Sequence, residues 1–65
     1  EFSEQIVEYL KANDGIMDIT DKSSPDEIYS TFGISKKNFK KAIGGLYKQR
    51  IIIIDDESIR LVGEQ

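Results

Sequence analysis

Phe2, Ile6, Tyr9 and Leu10 stand at i, i+4, i+7 and i+8, with polar residues filling most positions between them. That spacing lines one face of a helix, predicted over residues 3–13 with Ser3 as its cap. Asn13-Asp14-Gly15 ends it in a turn. Ile16, Met17 and Ile19 are too few for a helix and predict a small strand, followed by a loop over 21–23. The next start signal is denser. Ser24-Pro25-Asp26-Glu27 sets a capping serine, a proline at the first helical position and a glutamate three residues after the cap. This helix is predicted over 25–32, burying Ile28 and Phe32 with Tyr29 at its edge. Gly33 ends it where a left-handed residue is needed.

Ser35 caps a third helix, predicted to about residue 50, and Ile34 before it is placed to staple onto Phe39. Phe39, Ile43, Leu46 and Tyr47 give the helical period. On a wheel at roughly 100° per residue, Phe39, Ala42, Ile43, Leu46 and Arg50 share the core side. The β-branched run 51–54 and the segment 59–62 predict two strands around the turn Asp55-Asp56-Glu57-Ser58. Two helices joined by a short glycine-containing turn form a helix-turn-helix unit. With the first helix, the small strand and the terminal hairpin, the order predicts an α+β winged helix.

Length confines this to one domain, since 65 residues bury only about 60% of the surface that the unfolded chain exposes. At 38% apolar and 32% charged the chain is globular in composition, not disordered. There is no cysteine, hence no disulfide framework, thiol nucleophile or thiolate metal site. There is no histidine either, which removes the commonest general base and the commonest metal ligand. Asp14, Asp18 and Asp21 lack an EF-hand register, and Asp55 and Asp56 lie on a turn without a pocket. No phosphate-binding glycine loop or dinucleotide fingerprint occurs. The expectation is therefore a binding module with no catalytic residue, metal, cofactor or small-molecule substrate. The longest apolar run, 51–54, is far short of a membrane span. A start at Glu1 without a methionine fits a piece of a longer protein.

Charge adds the functional hint. The net charge of −3 argues against nucleic acid, but its distribution does not. Residues 35–50 carry six bases (Lys36, Lys37, Lys40, Lys41, Lys48 and Arg50) and no acid. Lys37, Lys41 and Lys48 cluster opposite the core side of the third helix with Gly44 beside them, while Lys36 and Lys40 lie nearer the boundary. A solvated face is the plain alternative. Two features favour a site. Lys36 and Lys37 occupy the first turn, where the helix dipole disfavours cations by about 0.3–1 kcal/mol each. Together with Ser35 and the free N–H groups they would hold a phosphate. Gly44-Gly45 costs the helix about 1 kcal/mol per glycine and faces away from the core, so close approach of a partner backbone would account for it. A flexible helix or contact with another domain would also account for it. The acidic turn opposes the usual duplex grip by a basic wing. With Asn38 and Gln49 but no exposed arginine for guanine, the helix is a poor reader of duplex DNA.

The stretch NDG…DKSSPDEIYSTFGISKKNFKKAIGGLYKQRIIII resembles the C-terminal winged-helix domain of the conserved virulence factor B family of bacterial RNA-binding proteins. The similarity covers residues 13–62, and its most specific part is FGIS-KK-x-FKKAIGGLYK-x-R at 32–50. The resemblance implies a cytoplasmic protein with upstream OB-fold domains, acting as an RNA-binding regulator of virulence-gene expression. It carries over Lys36, Lys37, Lys40, Lys41 and Lys48, with Gly44 and Gly45. The expected partner is RNA, single-stranded more than duplex DNA, with the upstream OB folds as possible intrachain neighbours. Protein–protein or interdomain docking without nucleic-acid contact is the rival expectation.

Overall fold

The computed structural model describes residues 2–63. Three helices, α1 (Phe2–Ala12), α2 (Pro25–Phe32) and α3 (Lys36–Lys48), pack with three strands, β1 (Ile16–Met17), β2 (Ile52–Ile54) and β3 (Ile59–Leu61). The strands form one antiparallel sheet of order β1-β3-β2. The predicted α+β winged helix is the observed fold.

The helix-turn-helix is held at both ends by its own caps. Ser24 and Ser35 have extended backbones, and their hydroxyls accept the N–H groups of Glu27 and Asn38. Gly33 takes φ 71° and donates its N–H to the Tyr29 carbonyl at 2.7 Å, satisfying a carbonyl that the helix end would leave open. Ile34, buried as the staple predicts, lies next to this turn. Pleating sorts the sheet: Met17, Ile52 and Ile59 point into the core, and Ile16, Arg60 and Ile53 stand side by side on the outer face. Ile6, Leu10, Ile28, Phe39, Ile52 and Ile59 are the most completely buried large side chains. Tyr9, Phe32 and Phe39 join α1 to the helix-turn-helix through an edge-on contact at 5.1 Å and a stacked one at 5.6 Å. Gln5 adds a donor to the Phe32 carbonyl at 2.7 Å.

Several sequence expectations need correction. α1 already includes Ser3, which is thus not its cap, and Phe2 is 42% exposed instead of lining the core. Ile19 is buried but lies beyond β1, in a turn where Thr20 is tied down by bonds with Ser23 and Lys22. The strands of the hairpin are one residue shorter than expected, beginning at Ile52 and ending at Leu61. The largest difference is the end of α3. It stops at Lys48, and Arg50 turns left-handed at φ 63°. Ile51 then donates to the Leu46 carbonyl and Arg50 to that of Tyr47, the bonding pattern of a Schellman motif. Arg50 is therefore exposed and does not share the core side of the wheel.

Candidate nucleic-acid interface

The core face of α3 is fixed by Phe39, Ala42, Ile43 and Leu46, all buried. That orientation leaves Lys37, Lys41 and Lys48 exposed on the opposite side, with Gly44 among them. Lys40 is exposed and Lys36 half-buried along one flank. The structure thus brings the predicted basic residues together on one helix. No residue of its first turn is acidic, in contrast to Asp26 and Glu27 at the start of α2. Among the described residues, none of these lysines has an ion-pair partner. Their charge is available to a ligand. Ser35 is exposed at the start of the row, its oxygen engaged by the Asn38 N–H at 3.1 Å and its hydroxyl proton left to donate.

The two glycines are not demanded by packing within the domain. A Cβ added at Gly44 or Gly45 would find no heavy atom within 4 Å beyond its own stretch of helix, and neither residue has positive φ. Open space therefore lies over the helix backbone beside the lysines.

The wing differs from the sequence expectation in its electrostatics. Asp55 is bridged by Arg60 at 3.0 Å, and Asp56 by Lys22, 34 residues away in sequence. The Lys22 hydrogen bond and charge hold the Asp56 carboxyl below its ordinary range, and the same contact raises Lys22. Two of the three acids of the turn are thus matched by cations, which softens the repulsion expected of it.

Sequence reasoning missed two residues of this surface. Tyr47 fits the apolar period of α3, yet it is 56% exposed. Arg50 falls on the core side of an extended helical wheel, but it lies past the helix end and is exposed. A signal for the second was present. The isoleucine run starting at Ile51 cannot both extend α3 and begin a strand, and no glycine stands at 49–51 to take the left-handed position. Among the described residues no cluster of metal-ligating side chains occurs, and no helix is long and apolar enough to cross a membrane.

A helix-turn-helix backed by a three-stranded sheet, with a row of lysines along its last helix, defines a winged-helix domain of the nucleic-acid-binding type. The chain belongs to the CvfB-like winged helix domain family, which it matches over residues 4–61. It is 50% identical over 56 residues to conserved virulence factor B of Staphylococcus aureus, covering 86% of this chain and 19% of that protein. To the protein of the same name from Staphylococcus saprophyticus it is 45% identical over 58 residues, covering 89% and 19%. A crystal structure from Streptococcus pneumoniae, of a multidomain protein with nucleic acid binding domains, superposes with a TM-score of 0.92 at 48% identity. That match covers 95% of this chain and 22% of the other. The chain spans about a fifth of the length of these relatives.

Proposed function

We propose that this domain is an accessory RNA-binding module that neutralises phosphates with the lysine row of α3 and reads little sequence. The observation that carries the proposal is the row itself: Lys36, Lys37, Lys40, Lys41 and Lys48 share one helix without an ion-pair partner among the described residues. Ser35 and Gly44 lie within it, the first a donor and the second leaving room for a phosphodiester backbone. Single-stranded RNA is favoured over duplex DNA because the wing remains acidic and the only arginine near α3, Arg50, lies past the end of the helix and not on its exposed side. The work of the domain is binding, with no catalytic step. Within a longer cytoplasmic protein carrying OB-fold domains it would add contacts to theirs and serve regulation of gene expression.

Three to five phosphate contacts predict a salt slope of roughly −2 to −3.5, at about −0.7 per contact. Affinity should fall in the non-specific range of roughly 10⁻⁴ to 10⁻⁶ M. Chemical-shift mapping with single-stranded RNA, duplex RNA and duplex DNA should move the α3 resonances most with the first. Replacing Lys37, Lys41 and Lys48 together by glutamine should abolish the shifts and leave the melting temperature nearly unchanged. No shift with any nucleic acid up to millimolar concentration would refute the reading. The rival, docking onto a protein surface, draws on the open backbone at Gly44 and Gly45; it would then lead.

A further inference from the structure

The lysine row ends at a groove of which only its last member, Lys48, is part. Tyr47, Lys48 and Arg50 make one wall, and Ile52, Ile53 and Val62 the other, around about 480 Å³. Tyr47, Ile53 and Val62 are 56%, 37% and 43% exposed, although all three have large apolar side chains. β2 is an outer strand, and among the described residues no further strand of this sheet covers that side. Among the described residues both charges of the lining are positive, and no carboxylate belongs to it. An open aromatic ring, an aliphatic wall and two cations match an unpaired nucleotide: the base stacks and the phosphate meets the cations.

Arg50 supplies an independent observation. It occupies the left-handed position of the Schellman motif, which favours glycine over any residue with a side chain. Its guanidinium has no hydrogen-bond or ion-pair partner among the described residues. Stability of the fold alone would thus be better served by glycine, and the strained backbone puts a cation at the groove. Along α3, Lys36, Lys40, Gly44 and Tyr47 follow at i, i+4, i+8 and i+11. Two lysines and an open stretch of backbone therefore lead up to the ring.

We propose that this groove holds one unpaired nucleotide of single-stranded RNA, its base stacked on Tyr47 beside Ile53 and Val62 and its phosphate on Arg50 and Lys48. The assignment rests on the RNA reading above and gives it a second contact chemistry, one that a paired base cannot satisfy because its faces are already stacked.

The test uses the 65-residue chain, a labelled ten-nucleotide single-stranded RNA and the same strand made abasic, followed by fluorescence anisotropy. Tyr47→Ala should weaken binding of the intact strand about 5- to 150-fold and leave the abasic strand unaffected. Tyr47→Phe should restore the intact-strand affinity. Arg50→Gly should weaken both strands and make the salt slope shallower by about 0.7, while the melting temperature holds or rises. If the wild type binds and the triple lysine variant does not, yet Tyr47→Ala binds like wild type or loses both strands equally, the groove assignment falls and the RNA reading stands. A wild type that binds neither strand removes both. Resonances of Tyr47, Ile53 and Val62 that move with an acidic peptide and not with RNA would give the groove to a protein partner and overturn the proposal.

Discussion

Replacing Gly44 and Gly45 by alanine separates what the fold needs from what the surface does. Both residues lie inside α3, neither has positive φ, and an added Cβ meets no heavy atom within 4 Å beyond its own stretch of helix at either position. An interior helical glycine is less favourable than alanine by about 0.8–1.0 kcal/mol, largely through the freedom of the unfolded chain. Nothing in the packing offsets that difference, so each substitution should stabilise the domain by about 0.5–1 kcal/mol. The pair should gain about 1–2 kcal/mol, which for a domain of this size is a rise in melting temperature of roughly 4–16 °C. Binding should respond differently. Gly44 lies among Lys37, Lys41 and Lys48, so its methyl would stand where an RNA backbone approaches, whereas Gly45 is turned toward the opposite flank of the helix. Gly44→Ala should therefore weaken single-stranded RNA binding, Gly44→Leu should weaken it further, and Gly45→Ala should leave it unchanged. Thermal unfolding by circular dichroism and RNA titration by anisotropy measure the two effects on the same samples. A fall in melting temperature for either alanine variant would refute the open-space argument. Equal RNA affinity for Gly44→Leu and wild type would refute backbone approach at Gly44.

Ile43 and Leu46 are each 3% exposed on the core face of α3, so Ile43→Ala or Leu46→Ala should cost about 2–5 kcal/mol in urea unfolding. A loss below about 1 kcal/mol would mean that the face is misassigned. The Lys22 contact depresses the Asp56 carboxyl, so in Lys22→Gln the Asp56 titration, followed by carboxyl NMR, should move up toward the ordinary carboxylate range. A depressed folded value stabilises above the unfolded pKa and loses that stabilisation as pH falls through the folded one. The stability gap between wild type and Lys22→Gln should accordingly close on acidification, and a gap that widened would refute the pairing.

The legible part of this chain is the part written in local signals. Ser24, Ser35 and Gly33 are caps whose chemistry acts within three or four residues, and each sits at the helix boundary that it predicts. The apolar period of α3 is equally local, and it gathered the lysines onto one exposed side. Features that depend on distant chain or on competition were not legible. Phe2 fits the period of α1, yet at the start of the helix it stays exposed. Lys22 reaches Asp56 only because the fold sets that loop beside the wing. The end of α3 was misplaced because two demands compete at Gln49–Ile51: a helix that could continue and a strand that must begin. The strand wins, and Arg50 takes the backbone strain. Tyr47 lies at the margin of the apolar arc, where periodicity alone does not distinguish a core residue from an exposed one.

The charge layout argues for a module that orients a strand more than it captures one. The bases of residues 35–50 face a chain whose net charge is still −3, so the acids elsewhere weaken long-range attraction and discourage contact by any other face. Affinity in the range of roughly 10⁻⁴ to 10⁻⁶ M would be a poor basis for independent function. It suffices when a neighbouring domain already holds the RNA. A short flexible connection supplies an effective concentration on the order of 1 mM, at which a site with a Kd near 10⁻⁵ M is about 99% occupied. The relatives, of which this chain covers about 19–22%, have the length for such an arrangement. In the role proposed above, the lysine row would set the path of the strand and the Tyr47 groove its end point. The acidic remainder would then slow the capture of RNA that no other domain presents.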